Sequence, residues 1–222
     1  MFFLGDIMLN KGDFIRLEYT GYDTNGAIFD STSGEVAKSL HGKEGPVVIV
    51  FGYDKLIVGL EEALTLMKNG EEKDIEIPPE KAFGERTKNL IRVLSEMELF
   101  KNKINPQVGV TLQLETDQGM MYGMVKAINS GRVTVDFNHP LASKIVNYKV
   151  KLLETIEKKE DKIQALIDQM NLTGTVELEG EKVAVVCVKE EGEDYTFKKE
   201  YLIAKIKTLL PEIKEVEVTD KN

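Results

Sequence analysis

Residues 13 to 21, DFIRLEYTG, alternate without interruption, so Ile15, Leu17 and Tyr19 fall on one face of an extended chain and Arg16 and Glu18 on the other. A period of two commits this segment to a half-buried antiparallel strand. The Asn25-Gly26 pair that follows tolerates positive φ at both positions and turns the chain into AIFDS, so a hairpin is expected. GPVVIVFG, from Gly45, reads as another strand, and residues 31 to 45 form a polar, glycine-punctuated excursion before it. VGLEEALTLMKNG then spaces Leu60, Ala63, Leu64 and Met67 at helical intervals and ends on Asn69-Gly70, which predicts one short helix with a left-handed cap. EEKDIEIPPEKAFG alternates around Ile75 and Ile77 until Pro78-Pro79 stops the ladder. The first region is therefore a set of strands around one helix.

The pattern changes between Glu85 and Asn138. Four small strands, IRVL, VTLQLET, MMYGMVKAI and RVTVDFN, are joined by turns at Asp117 to Gly119 and Asn129 to Gly131, which predicts a separate β unit at 86–138. SKIVNYKVKLLETIE is one long amphipathic strand with no partner in that unit, so it is expected to return to the first sheet. The first domain is then discontinuous, 1–85 plus 139–155. From 156 to 222 the order is α-β-β-α-β, with Ile163, Leu166, Ile167 and Met170 marking the first helix face and Pro211 ending the second helix, which predicts an independent C-terminal domain. The fold class expected is α+β.

Composition narrows the function classes. The 222 residues carry a formal charge of -9 and no local lysine and arginine cluster, which sets nucleic acid aside as a partner. No apolar run approaches the roughly 20 residues of a membrane helix, and MFFLGDI is far shorter than a signal-peptide core with its flanks. A cytoplasmic protein with no membrane partner is expected. The one cysteine, Cys187 in VAVVCVK, reads as a small buried apolar side chain, and there is no disulfide framework. Two histidines and one cysteine without close spacing make no metal site, and no nucleophile motif accompanies either His41 or His139. No glycine-rich phosphate cradle stands between a strand and a helix, so no nucleotide and no other cofactor is expected.

What remains is apolar and aromatic: Tyr19, Phe29, Val47, Leu56, Ile57, Leu60, Phe83 and Tyr148, with Asp30 beside Phe29. Taken one by one, each is an ordinary core residue. Composition and periodicity go no further.

Their order and local words go further. YTG, FDS, LIVGLEEAL and PPEKAFG occur in the succession in which FKBP-type peptidyl-prolyl isomerases carry them, so the chain resembles that family over its first 85 residues and again at about 140 to 155. The β unit between resembles the insert-in-flap domain of the SlyD-type branch, NHPLA sits where that branch rejoins its catalytic domain, and the C-terminal domain makes the whole similar to long archaeal members. The resemblance implies an antiparallel sheet wrapped on the helix and a shallow cleft for a proline side chain. Tyr19 and Phe29 would form one wall, Leu56 and Ile57 the helix entrance and Leu60 the floor. Phe83 and Tyr148 would be the remaining aromatics. Val47 matches a position that is often aromatic. Asp30 would hydrogen-bond Tyr19 or face the substrate carbonyl. Two departures stand out: Leu60 where many relatives have tryptophan, and Phe83, without a hydroxyl, where tyrosine is common.

Isomerisation of an X-Pro bond suits such residues. Rotation meets a barrier of roughly 18–20 kcal/mol because amide resonance is lost midway, and no bond breaks, so neither nucleophile nor metal is needed. In the insert, Met97, Met120, Met121 and Met124 are four of the eight methionines. Methionine repacks around varied apolar segments. The resemblance therefore implies that Met120, Met121 and Met124 bind unfolded or proline-containing polypeptide, with Leu112, Leu114, Tyr122 and Val125 as neighbours. His139 and Leu141, at the hinge NHPLA, would line the rim of the cleft, His139 as wall rather than proton carrier. His41 reads as solvated. The C-terminal domain would form a homodimer. The competing expectation is a non-catalytic holdase or assembly scaffold. A third, metal delivery by SlyD-type histidine-rich tails, is opposed by the ending VEVTDKN.

Overall fold

The computed structural model describes residues 8–116, 119–189 and 193–221. Residues 1–7 of the expected first domain, and Asp117 and Gln118 of one expected turn, lie outside the described residues. In chain order the elements of the first part are β1 (Phe14–Tyr22), β2 (Ile28–Ser31), α1 (Gly34–His41), β3 (Val47–Val50), α2 (Val58–Thr65) and β4 (Glu72–Ile77). There follow β5 (Ile91–Ser95), α3 (Glu96–Lys101), β6 (Thr111–Thr116), β7 (Gly119–Asn129) and β8 (Arg132–Asp136). Then come β9 (Val146–Ile156), α4 (Lys159–Gln169), β10 (Gly174–Glu179), β11 (Lys182–Val188), α5 (Glu193–Leu209) and β12 (Glu215–Lys221). The class is α+β.

The first sheet has the order β2-β1-β9-β4, with β3 also on β1, and every pair is antiparallel. Leu17 lies opposite Leu152, Tyr19 opposite Val150 and Gly21 opposite Tyr148. The alternation read in β1 therefore puts Ile15 and Leu17 into a core with Val146, Val150, Leu152, Ile77 and the helix residues Leu60 and Leu64. Each such side chain contributes about 1.5–3 kcal/mol by leaving water. A Cβ on Gly59 would overlap Ile77, so α2 sits closer to β4 than any other residue there allows.

Two details differ from expectation. The helix α2 stops at Thr65, and Gly70 (φ +81) instead closes a turn in which its N–H donates to the Leu152 carbonyl at 2.7 Å. The excursion at 31 to 45 contains α1, which ends on Gly42 with φ 73. Its one buried residue is Ala37, too little for an apolar period to reveal it.

The second sheet has the order β5-β8-β7-β6. Directly opposed residues share a face: Leu112 with Gly123, Leu114 with Met121 and Val125 with Val135 face a core that includes Leu99 and Val133. This corrects the expected client surface. Leu112 and Val125 are 4% and 0% accessible, Leu114 packs on them, and Met121 shares Leu114's side. Tyr122, Met120 and Met124 take the opposite face, where Tyr122 and Met120 are exposed along with Val93 and Ile91. The short α3 was not expected, although Ser95 accepts from the Glu98 N–H three residues on, which is the spacing of a helix cap.

In the C-terminal part β10 and β11 are antiparallel and β12 runs parallel to β11. This part is not independent. Its core of Ile163, Leu166, Val183, Val185, Leu202 and Ile206 includes Phe14 and Val50 from the outer face of the first sheet. Gln169 donates to the Val48 carbonyl and to Asp54 Oδ2, both at 2.9 Å, and Lys205 lies 3.5 Å from Asp54 Oδ1.

Phe14→Ala is accordingly expected to cost about 3–5 kcal/mol in denaturant unfolding of the full chain. Hydrogen exchange should accelerate in α4 as well as β1. Unchanged protection in α4 would contradict a shared core.

Candidate active site

The first sheet and α2 gather eight apolar side chains from six places in the chain. Leu60 and Tyr148 are buried, and Tyr19, Phe29, Val47, Leu56, Ile57 and Phe83 are partly buried against the same core. Phe29 meets Phe83 edge to face at 5.8 Å and Tyr148 edge to face at 5.6 Å, while Tyr19 and Tyr148 lie 6.0 Å apart. Such tilted contacts suit ring quadrupoles.

Local sequence explains the placement. A Cβ on Gly21 would lie 2.8 Å from Phe29 Cζ and 3.1 Å from Tyr148 Cε1, so only glycine opposite Tyr148 lets the two rings meet over β1. The Tyr19 backbone is held on both sides: its N–H donates to Thr32 Oγ1 at 3.0 Å, and its carbonyl accepts from the Thr32 N–H at 2.9 Å. Ser31 and Thr32 are themselves buried. Phe83 is presented by the turn at Pro79–Lys81, closed when the Gly84 N–H donates to the Pro79 carbonyl at 2.7 Å.

His139 stacks flat on Phe83, with centroids 4.3 Å apart and planes 2° apart. Its outer edge is exposed, yet burial on the Phe83 side holds its pKa below the usual imidazole value. The Leu141 N–H donates to His139 Nδ1 at 3.2 Å, which ties the ring to buried Leu141. Both therefore border the aromatic cluster. Leu112, Leu114, Met120, Met121, Tyr122, Met124 and Val125 belong to the other sheet.

Asp30 is the charged group of the site. Burial, followed by the charge of nearby Asp30, pushes the Tyr19 pKa well above the ordinary phenol value. Burial and then Asp30 do the same to Tyr148. Both phenols stay protonated, hence donors, throughout the neutral range. His41, expected to be solvated, instead places Nε2 2.9 Å from Asp30 Oδ1. Sequence reasoning missed this contact, because it depends on α1. It also passed over Gly21, Ser31 and Thr32, although a glycine inside a strand signals a close approach.

Beyond the aromatic cluster, a recess of about 390 Å³ opens among Glu18, Thr20, Glu72, Lys149 and Lys151, with mixed charge and no second aromatic besides Tyr19. Among the described residues no group of three or more His, Cys, Asp or Glu side chains is arranged to hold a metal ion.

Residues 5–99 match the family described as FKBP-type peptidyl-prolyl cis-trans isomerase, and residues 93–141 match the FKBP26 IF domain. Tyr148 and all of β9 lie outside both ranges. The chain is 32% identical over 150 residues to the short-type peptidyl-prolyl cis-trans isomerase of Methanocaldococcus jannaschii, covering 65% of this chain and 92% of that one. It is 34% identical over 122 residues to the FKBP-type 16 kDa peptidyl-prolyl cis-trans isomerase of Escherichia coli, covering 54% and 81%. With the FKBP-type isomerase SlyD of Aeromonas hydrophila it shares 35% over 138 residues, covering 62% and 60%. The chain belongs to the FKBP-type peptidyl-prolyl cis-trans isomerases.

Proposed function

We propose that the cluster of Tyr19, Phe29, Val47, Leu56, Ile57, Leu60, Phe83 and Tyr148 receives the proline ring of the substrate and is where its X-Pro bond turns. The observation that carries this is the half-buried ring arrangement above buried Leu60 and around Tyr148. An amide twisted midway has a weaker carbonyl dipole than a planar one, so a site that strips water from it favours the twisted form. A thousandfold acceleration asks for about 4 kcal/mol of that preference. The Tyr19 and Tyr148 hydroxyls, kept protonated, are the donors near the turning carbonyl, since Phe83 has none to offer. The charge of Asp30 helps to keep the Tyr19 hydroxyl protonated, and His139 and Leu141 serve as rim.

The insert takes a different part. Its outer face carries Ile91, Val93, Met120 and Tyr122, all exposed, with Met124 half-buried among them. Exposed α3 residues Met97 and Phe100 enlarge the apolar surface of the same unit. Surfaces of this kind hold unfolded polypeptide. Tethering that surface to the cleft raises the concentration of client prolines at the cleft. The protein is thus a cytoplasmic folding helper acting on unfolded and proline-containing chains. Its C-terminal part forms a homodimer through α5, where Phe197 and Tyr201 stack at 6.1 Å with 68% and 49% of their surface exposed.

Alanine at both Tyr19 and Phe29 is expected to lower kcat/KM on a proline-containing peptide by about a hundredfold, equivalent to about 2.7 kcal/mol. Unchanged turnover would leave a holdase or scaffold instead. Deleting residues 86 to 137 should reduce catalysis of a proline-limited protein refolding reaction far more than turnover of the short peptide. Equal losses in the two assays would remove the client-binding role. Phe197→Glu should convert a dimer to a monomer in sedimentation equilibrium, and a wild-type chain that sediments as a monomer would end the dimer proposal.

A further inference from the structure

His139 is held from two sides. Its ring lies flat over Phe83, with centroids 4.3 Å apart and planes 2° apart, and the Leu141 N–H donates to its Nδ1 at 3.2 Å. Pro140 follows it and restricts its backbone. The Ala142 N–H closes a turn onto the His139 carbonyl at 2.9 Å, and the Ser143 N–H donates to the Gly84 carbonyl at 2.8 Å. The loop that carries His139 is thereby bonded to the residue after Phe83, and imidazole and phenyl ring keep one relative position.

The bond at Nδ1 also fixes where the ring proton is. A main-chain N–H can only donate, so Nδ1 is an acceptor and the proton sits on Nε2. Burial against Phe83 disfavours the cation, in which Nδ1 would turn a second N–H against that of Leu141. An N–H bond lies in the plane of its ring, so in a flat stack the Nε2–H runs parallel to the Phe83 face and is not spent on it. Among the described residues Nε2 meets no acceptor, and His139 is exposed. A donor of fixed direction is left over at the edge of the cleft.

The rings of the cleft touch in series: Tyr19 with Tyr148, Tyr148 with Phe29, Phe29 with Phe83, and Phe83 with His139. Phenol donors stand at one end of that series and the Nε2–H at the other. A proline offers a main-chain carbonyl and no N–H, so a site for proline segments is served by donors at its edge. We infer that His139 is a substrate-binding residue whose Nε2–H donates a hydrogen bond to a main-chain carbonyl of the polypeptide beside the turning X-Pro bond. This rests on the reading of the cleft as the isomerisation site. The carbonyl that turns is served by the phenols, and the one that His139 holds does not turn. A bond made equally to the planar and the twisted amide lowers KM and leaves kcat alone.

The test compares kcat and KM on a proline-containing peptide for the full-length wild type, for His139→Phe, and for a chain with Nε2-methylhistidine at position 139. Phenylalanine keeps a flat ring against Phe83 and has no nitrogen. The methylated imidazole keeps the stack and the Nδ1 acceptor and loses the donor. Both changes are expected to raise KM about three- to tenfold, the range of one neutral hydrogen bond, with kcat within about twofold of the wild type. Nitrogen NMR of the wild-type ring should find Nε2 protonated and Nδ1 bare. An unchanged KM in either altered chain, a loss confined to kcat, or a proton on Nδ1 overturns the inference. Failure of the cleft itself reads differently, as full turnover in the chain with alanine at Tyr19 and Phe29.

Discussion

Strand β9 lies between β1 and β4 and hydrogen-bonds to both, so without it the first sheet falls into two pieces and Tyr148 has no place opposite Gly21. Its residues arrive only after the whole second sheet has been made. Loop-closure entropy grows slowly with loop length, so such an interruption is tolerable. The ends of the insert reduce it further. The Thr87 N–H donates to Asn138 Oδ1 at 2.8 Å and Asn138 Nδ2 donates to the Thr87 carbonyl at 3.0 Å. The Arg86 N–H donates to Ser143 Oγ at 2.7 Å, and the Arg86 side chain pairs with buried Asp136. With its ends pinned side by side, the insert closes on itself and β9 meets β1 as though after a short turn.

The same pairing governs the cleft. Gly21 is opposite Tyr148 in register, and a slip of one residue would turn every side chain of β9 to the other face. Phe29 reaches Tyr148 only across the missing Cβ of Gly21, and Phe83 is in turn placed by its edge contact with Phe29. Aromatic contacts of this kind contribute about 0.5–1.5 kcal/mol each beyond their buried area, so the rings support one another rather than resting on a single anchor. The hydroxyls of Tyr19 and Tyr148 are kept neutral by that same burial.

Much of this was legible because alternation in a half-buried strand is a strong local signal. β1, β4 and β9 were each readable from their own residues, and the lack of a partner for β9 in the insert pointed back to β1. The cleft was another matter. Its eight apolar residues look like core one at a time, and only their resemblance to a known order of words grouped them. What stayed hidden was either short or dependent on register. α1 buries one alanine, α3 is six residues long, and the choice between Met120 and Met121 as the exposed neighbour turns on which of them faces Leu114. The contact of His41 with Asp30 required α1 to be known first.

The outer face of β1 changes character along its length. At its start Phe14 is sealed under α4, in the middle Arg16 pairs with Glu154 at 2.8 Å, and toward the cleft Glu18 and Thr20 border an open recess. One end of the strand is therefore packed on both faces and the other on one. Interiors packed at crystal-like density transmit strain and resist deformation, so the anchored end gives the cleft a stiff base. Gln169 and Lys205, converging on Asp54, whose carboxylate also accepts the Val50 N–H at 2.8 Å, extend that base into the C-terminal helices. The insert is joined at its neck by bonds around Thr87, Asn138 and Ser143. A stiff base holds the register that sets Gly21 opposite Tyr148, and with it the positions of the rings.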